Sequence, residues 1–184
     1  ETLAMVTANS RMIVDRLSCL PLELVWRPTV TSDSAVIDTI MAANADPACA
    51  GVILWMHTFS PARMWIGGLK RLQKPMLHFH TQFNRDLPFE TIDMDFMNLN
   101  QSAHGDREFG YICTRLNMPR KIVVGHWSDP DTLREIADWA LVAAAWDDAQ
   151  GMLVARIGDN MRDVAVTEGN KVDAEITLGY RVNG

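Results

Sequence analysis

The chain has 184 residues, of which 48% are hydrophobic and 22% charged, and this balance is typical of a folded globular protein rather than a disordered tail. Its formal net charge of -6 and its scattered basic residues argue against a nucleic-acid partner, because such surfaces cluster Lys and Arg against phosphates. The elements predicted from the apolar pattern alternate helix with strand. The predicted helices are 1–20, 34–44, 60–72 and 130–148, and residues 96–117 contain a further helical stretch. The predicted strands are 22–26, 51–56, 75–80 and 121–127.

Turn and cap residues mark the ends of these elements. Pro21 closes the first helix, while Ser60-Pro61 and Asp129-Pro130 each place an N-cap side chain before a proline at the first helical position. The strands are apolar throughout rather than alternating, which indicates a parallel sheet covered on both faces. We therefore predict a doubly wound α/β domain with a mainly parallel sheet, in Rossmann- or flavodoxin-like layers.

Two domains are predicted, one over residues 1–151 and the opening of another over 152–184. A parallel unit needs a strand before its crossover helix, so a chain that opens inside a helix lacks the first strand of that domain. Beyond residue 151 we predict a strand over 152–157 and two further strand-like stretches within 161–182, with no helix between them. These would be the first strands of a second α/β domain.

Several classes of function lack their usual sequence features. The longest apolar run, Ala48 to Met56, is about half of the roughly 18 residues that a membrane helix needs. There is no glycine-rich dinucleotide fingerprint, phosphate loop or Gly-x-Ser-x-Gly elbow. The three cysteines, Cys19, Cys49 and Cys113, form no Cys-x-x-Cys pair, and their odd number fits a reducing compartment.

Two histidines lie at the end of the third predicted strand. His78 and His80 are two residues apart, so both rings point to one side of the strand and would be able to share a metal ion. No third ligand is evident from the sequence. The alternative is that these imidazoles form hydrogen bonds with neighbouring loops.

A second polar group follows at Asp93 and Asp95, close in sequence to His104, Asp106 and Glu108. A cluster of carboxylates and imidazoles would serve general acid–base chemistry. Acidic residues before a helix are more often caps and exposed charges, and this alternative stays open.

Aromatic residues offer a third candidate surface, a wall for a sugar or another flat ligand, with packing as the commoner use of such side chains. They are Trp55, Phe59, Trp65, Phe83, Phe89 and Phe96.

Four stretches of the chain resemble the L-arabinose isomerase family. They are Trp55-Met-His-Thr-Phe-Ser-Pro-Ala-Arg-Met-Trp65, His80-Thr-Gln-Phe-Asn84, the stretch from Ile92-Asp-Met-Asp-Phe to Gly110, and Ile157-Gly-Asp-Asn-Met-Arg-Asp-Val-Ala-Val166. The resemblance implies an N-terminal piece of a cytoplasmic aldose–ketose isomerase that interconverts L-arabinose and L-ribulose, and often D-galactose and D-tagatose. It also implies Mn²⁺ as the metal and a trimer-based homohexamer with active sites between subunits.

The resemblance assigns site residues only where the motifs match. It implies that Phe59, Gln101, His104 and Met161 line the sugar pocket, with Gln101 and His104 reaching into a neighbouring subunit's site. It places the metal ligands and the catalytic glutamates beyond Gly184, so we expect neither catalytic nor metal-binding residues in this chain. On its own the chain should be inactive.

Two other functions remain open from the residues alone. A sugar-binding module of the periplasmic type would share layered α/β domains and an aromatic wall. A structural or assembly piece with an exposed sheet edge would associate through that edge, which predicts poor solubility or non-native oligomers for the isolated chain.

Overall fold

The computed structural model of the chain describes residues 2–20, 22–56, 58, 61–158 and 169–183. The chain divides into two compact units, Glu1–Ala140 and Leu141–Gly184. The division predicted after Gly151 remains a prediction.

The described elements alternate between helices and short strands in both units. The helices are α1 Thr2–Leu17, α2 Asp33–Ala45, α3 Ile66–Leu69, α4 Met94–Leu99, α5 Ser102–Arg115, α6 Pro130–Gly151 and α7 Lys171–Leu178, with a 3₁₀ helix at Ala62–Trp65. The strands are β1 Val52–Leu54, β2 Met76–His80, β3 Lys121–Val124, β4 Leu153–Ala155 and β5 Arg181–Asn183.

The sheet of the first unit has the order β1-β2-β3, and both pairings are parallel. Leu54 pairs with His78, and His78 pairs with Ile122 on the other side. The predicted mixed α/β fold with parallel strands is confirmed. Because parallel strands share one carboxyl edge, the residues after β1, β2 and β3 meet at the same end of the sheet.

Side chains of the central strand alternate between two apolar clusters. Met76 packs in one cluster, with side chains of α2, α3 and α5. Leu77 and Phe79 pack in the other, with side chains of α1, β3 and α6. Since successive side chains of a strand point to opposite faces, the helices cover both faces of the sheet, as predicted from its apolar strands.

The predicted strand at 22–26 is wrong. This segment carries no strand in the structure, although Leu24 packs against the cluster around α1 and α6. A strand is defined by backbone hydrogen bonds to a neighbour, and the described residues offer this segment no partner strand. Leu22, Leu24 and Trp26 are half-buried and Val25 is exposed, so the apolar pattern identified a partly buried segment but not its lack of a partner strand.

The helix predicted over 60–72 forms only in part. Pro61 occupies the cap position rather than the first turn, and the first turn is the 3₁₀ helix Ala62–Trp65, followed by the single turn of α3. Ser60, the predicted N-cap, lies outside the described residues.

In the second unit, β4 and β5 pair in parallel. The expectation of no helix between strands is wrong, because α7 lies between them and a parallel pair needs such a crossover. Asn170 caps α7 by accepting a hydrogen bond from the N–H of Asp173 at 2.9 Å, and Gly179 ends it at a φ of 89°. The strand-like stretch before residue 169 lies outside the described residues.

Candidate functional site

A buried carboxylate joins three elements at the carboxyl edge of the sheet. Asp106, on α5, is completely buried. Its Oδ1 accepts a hydrogen bond from the backbone N–H of Met56, just after β1, at 3.1 Å. The same oxygen lies 2.9 Å from Nε2 of His78 on β2, which is the donor when the carboxylate is ionised. The helix is therefore tied to two strands through one oxygen atom.

His80 completes this group from the partly exposed side. Its Nδ1 lies 3.7 Å from Oδ2 of Asp106, and its side chain is 29% exposed. His78 is almost fully buried, and its ring packs edge-on against Phe109 with the centroids 4.9 Å apart. The prediction that both rings point to one side of β2 agrees with these contacts, and Asp106 is the third group that the sequence left unassigned.

Burial dominates the electrostatics of this cluster. It raises the pKa of Asp106 above its usual range, while the hydrogen bond and charge of His78, the charge of His80 and the N–H of Met56 act in the opposite direction. Each uncompensated polar atom adds to the cost: Oδ2 of Asp106 and Nδ1 of His78 are buried and form no hydrogen bond with the described residues.

The ligand atoms of His78, His80 and Asp106 lie within 4.8 Å of one another, close enough to surround an ion. Two imidazoles and one carboxylate suit Zn²⁺, Fe²⁺ or Ni²⁺, whereas Mn²⁺ favours oxygen-rich sets. An ion would also displace the bond between Nε2 of His78 and Oδ1 of Asp106. The family resemblance places the Mn²⁺ ligands beyond Gly184, so this group of three residues is not the site that the resemblance implies.

The N-terminus of α5 carries both described residues of the expected sugar pocket. Gln101 is the N-cap residue of α5, and its backbone carbonyl accepts hydrogen bonds from the N–H groups of His104 and Gly105. Its side-chain Oε1 is buried and has no hydrogen-bond partner among the described residues. His104 lies three residues further along, in the first turn of α5, with its side chain 48% exposed and Nε2 3.4 Å from Glu108 Oε1.

Side chains on either side of Gln101 fasten it to the loop after β2. Asn100 and Asn84 bond reciprocally: Oδ1 of Asn100 accepts from the N–H of Asn84 at 2.8 Å, and Nδ2 of Asn100 donates to Oδ1 of Asn84 at 3.0 Å. Ser102 Oγ donates to Oε1 of Gln82 at 3.4 Å. The backbone at Gln101 is thus held from both directions.

The proposed acid–base cluster over 93–108 is not assembled. Asp93 caps α4 by accepting a hydrogen bond from the N–H of Phe96 at 2.8 Å, and Asp95 is exposed in the first turn. His104 and Asp106 are two residues apart on α5, so they lie on different faces, one exposed and one buried. Helix capping, the alternative given by the sequence, accounts for Asp93.

The aromatic residues pack in separate pairs rather than in one wall. Trp55 contacts Phe79 edge-on at 6.4 Å, and Phe83 stacks on Trp127 at 5.8 Å. Phe89 is 83% exposed. Packing is therefore the main use of the described aromatic residues.

The two remaining predicted pocket residues, Phe59 and Met161, lie outside the described residues. Sequence reasoning missed the link between Asp106 and His78. The signal for it was the apolar stripe of α5, because Asp106 shares the buried face of that helix with Phe109 and Cys113. A carboxylate on such a face requires a partner from the sheet.

Family comparison covers the chain almost end to end. A family profile described as L-arabinose isomerase N-terminal domain matches residues 1–151, and one described as L-arabinose isomerase central domain matches residues 153–184. The chain belongs to the L-arabinose isomerase family. The two matched ranges include the segments that hold Phe59, Gln101, His104 and Met161.

Curated L-arabinose isomerases are similar to the whole chain. Those of Shouchella clausii and Geobacillus stearothermophilus are 56% identical to it, and that of Geobacillus thermodenitrificans is 55% identical. Each alignment covers 100% of this chain, which spans 38% of the length of these relatives. None of the helices in the described ranges combines the length and apolar character of a membrane span.

Proposed function

We propose that this chain forms part of an enzyme that interconverts L-arabinose and L-ribulose, and D-galactose and D-tagatose, by aldose–ketose isomerisation. The names of relatives at 55–56% identity support the first pair of sugars, and the second pair rests on the family resemblance. Membership of the isomerase family favours this function over a sugar-binding module of the periplasmic type.

The observation that carries the proposal is the polar N-terminus of α5. An amide oxygen buried without a partner is costly, and a hydroxyl donor that reaches Gln101 Oε1 would offset that cost. The half-exposed imidazole of His104 lies in the first turn of the same helix. An amide and an imidazole so placed hold and orient sugar hydroxyl groups, a polar task that a sugar pocket requires.

These groups provide no site for a hard cation, and no proton transfer is assigned to them. In the proposed enzyme, Mn²⁺ is held by glutamates and histidines beyond Gly184, and glutamates there move the proton between C1 and C2. The ion supplies, when bound, an electrostatic hold on two sugar oxygens. Phe59 and Met161 add apolar surface to the pocket.

The assembly proposed is a trimer-based homohexamer in the cytoplasm. In it, Gln101 and His104 extend from one subunit into the site of its neighbour. The exposed position of His104 supports its part in this arrangement, because a residue that serves a neighbouring site must lie on the subunit surface. The part of Gln101, whose Oε1 is buried in the chain, rests on the family resemblance.

The test is His104→Ala in the full-length protein. We expect kcat/KM for L-arabinose to fall by about fivefold or more, since removing one partner leaves a buried sugar hydroxyl unsatisfied, which costs about 1–3 kcal/mol. Tyr111→Ala is the matched control, because Tyr111 lies two turns further along α5 and is 62% exposed. Equal kcat/KM values for the two variants would disprove the role of His104.

The chain alone should bind L-arabinose and Mn²⁺ weakly and should turn over no sugar. Isothermal titration with each, followed by a ketose assay, measures both. Tight Mn²⁺ binding with turnover would show that the catalytic groups lie within residues 1–184.

A further inference from the structure

Asp106 ties the helix that carries two of the proposed pocket residues to the sheet. It follows Gln101 and His104 in the sequence of α5, and its Oδ1 accepts a hydrogen bond from the N–H of Met56, just after β1. Its second bond joins it to His78 on β2. A single side chain thus fixes α5 against two neighbouring strands.

Burying a carboxylate at this position is unfavourable in free energy. Asp106 is fully buried, and the helix face that carries it also buries Phe109 and Cys113. An apolar side chain of similar volume would avoid the desolvation of a charge, and such replacements are often neutral or stabilising. The carboxylate fixes the orientation of α5, because its hydrogen bonds to Met56 and His78 depend on angle and define the rotation of the helix more narrowly than apolar packing does.

We propose that Asp106, with His78 as its hydrogen-bond donor, is a positioning residue for the sugar pocket. It sets the rotation and height of α5 over the sheet edge, and so places His104, whereas Gln101 is held by the bonds of Asn100 and Ser102 to the loop after β2. The inference rests on the proposed function, since it acts through the pocket role of His104. Displacing a positioned group by about 1 Å costs up to roughly 100-fold in rate, so even a small rotation of α5 would be measurable.

A metal site built from His78, His80 and Asp106 is the competing interpretation. The bond of 2.9 Å between His78 and Asp106 favours the positioning role, because a metal ion would take the same nitrogen atom. Only His80 of the three is partly exposed, which leaves little access for an ion.

The experiment is a double-mutant cycle in the full-length enzyme, with Asp106→Leu, His104→Ala and the pair combined. Asp106→Leu removes both hydrogen bonds while keeping the number and branching of the side chain's heavy atoms. We expect it to lower kcat/KM for L-arabinose about 10- to 100-fold in the wild-type background and by less than about threefold in the His104→Ala background. Asp106→Asn, which keeps an acceptor oxygen, should restore most of the activity.

Equal losses in the two backgrounds would overturn the positioning role, because a general structural defect does not depend on His104. An unchanged kcat/KM in Asp106→Leu would overturn it as well. If Asp106→Leu does not fold, His78→Leu takes its place in the cycle, with His78→Gln as the variant that keeps a donor.

Metal analysis of the same proteins separates the competing interpretation. An extra equivalent of metal per subunit that is lost in Asp106→Leu would identify a metal site and overturn the proposal. Failure of the proposed function gives a different result: the wild-type enzyme would not isomerise L-arabinose, or His104→Ala would retain full kcat/KM. Loss of activity in His104→Ala with additive effects of Asp106→Leu refutes the positioning role alone.

Discussion

Replacing Gly68 by alanine should destabilise the chain, because α3 packs on α2 without room for a methyl group. A Cβ at this position would lie 2.7 Å from Cγ1 of Val36 and 3.2 Å from Cγ1 of Ile40. Both of those side chains are fully buried in the core. The backbone carbonyl oxygen of Val36 lies 3.3 Å from the same Cβ position, so there is no free space on that side either. Relief therefore requires α2 and α3 to move apart.

Two opposing effects set the magnitude. At a compatible backbone position, alanine is favoured over glycine by roughly 0.4–1 kcal/mol, while overpacking a core costs roughly 1–3 kcal/mol. The expected net loss for Gly68→Ala is about 1–2 kcal/mol in the free energy of unfolding. For a chain of this length, that loss lowers Tm by about 2–8 °C.

Gly67→Ala is the matched control, one residue away. Its Cβ would meet only side-chain atoms, Cδ1 and Cγ1 of Ile37 at 3.1 and 3.4 Å and Nη1 of Arg71 at 3.9 Å, and neither side chain is fully buried, so both are able to move away. We expect this variant to be as stable as the wild type or up to about 1 kcal/mol more stable. Urea unfolding followed by tryptophan fluorescence compares the two. If Gly68→Ala were as stable as Gly67→Ala, the close packing of α2 and α3 would be refuted.

Three further predictions concern the carboxyl group of Asp106, the cysteine thiols and the side-chain amide of Asn44. Burial raises the pKa of Asp106 above its ordinary 3.8, so the folded chain holds that proton more tightly than the unfolded chain and loses stability as pH rises through the raised pKa. The stability of Asp106→Asn relative to wild type should therefore rise as the pH increases above 3.8, and a difference in urea unfolding that stays constant with pH would contradict this. Burial likewise raises the pKa of Cys113, so a thiol reagent should modify exposed Cys19 first and Cys113 only on unfolding, an order that mass spectrometry checks. Asn44→Ala removes two hydrogen bonds of 2.6 and 2.9 Å to the backbone after α3 and should cost about 1–3 kcal/mol in thermal unfolding, whereas a wild-type Tm would show that water replaces them.

Elements whose evidence is local were predictable from the sequence. The helix predicted over 34–44 forms as Asp33–Ala45, with Ser32 as its cap, because both its propensity and its cap lie within the segment. β2 was predicted over 75–80 and forms at Met76–His80, since an apolar run between turn residues identifies a buried strand. The parallel pairing of β1, β2 and β3 followed from the helical segments predicted between these strands.

Elements that depend on distant partners were not predictable. Residues 22–26 have the composition of a strand, but a strand exists only through hydrogen bonds to a neighbour.

The sequence of α7 was misleading for a different reason. Its apolar residues alternate with polar ones and imitate a strand, while the cap at Asn170 favours a helix; they are Val172, Ala174, Ile176 and Leu178. The alternation was a misleading signal because this short helix is largely exposed and has no apolar stripe to bury.

The candidate site also combines features that local sequence predicts with features that depend on distant residues. The side shared by His78 and His80 follows from the geometry of one strand. The bond between His78 and Asp106 joins residues 28 positions apart, and spacing alone does not reveal it. The pocket roles of Gln101 and His104 came from family resemblance, and the structure adds their common position at the start of α5 and the unpartnered oxygen of Gln101.

A subunit-mixing experiment tests the central claim, that this chain lends His104 to a neighbouring subunit's sugar site. Full-length subunits carrying His104→Ala are reassembled with subunits that lack a metal-ligating glutamate beyond Gly184. With random mixing in a symmetric ring, about one site in four combines an intact metal site with an intact neighbouring His104, so activity should recover to about a quarter of the wild-type value. Activity no higher than the average of the two parent proteins would contradict the shared site.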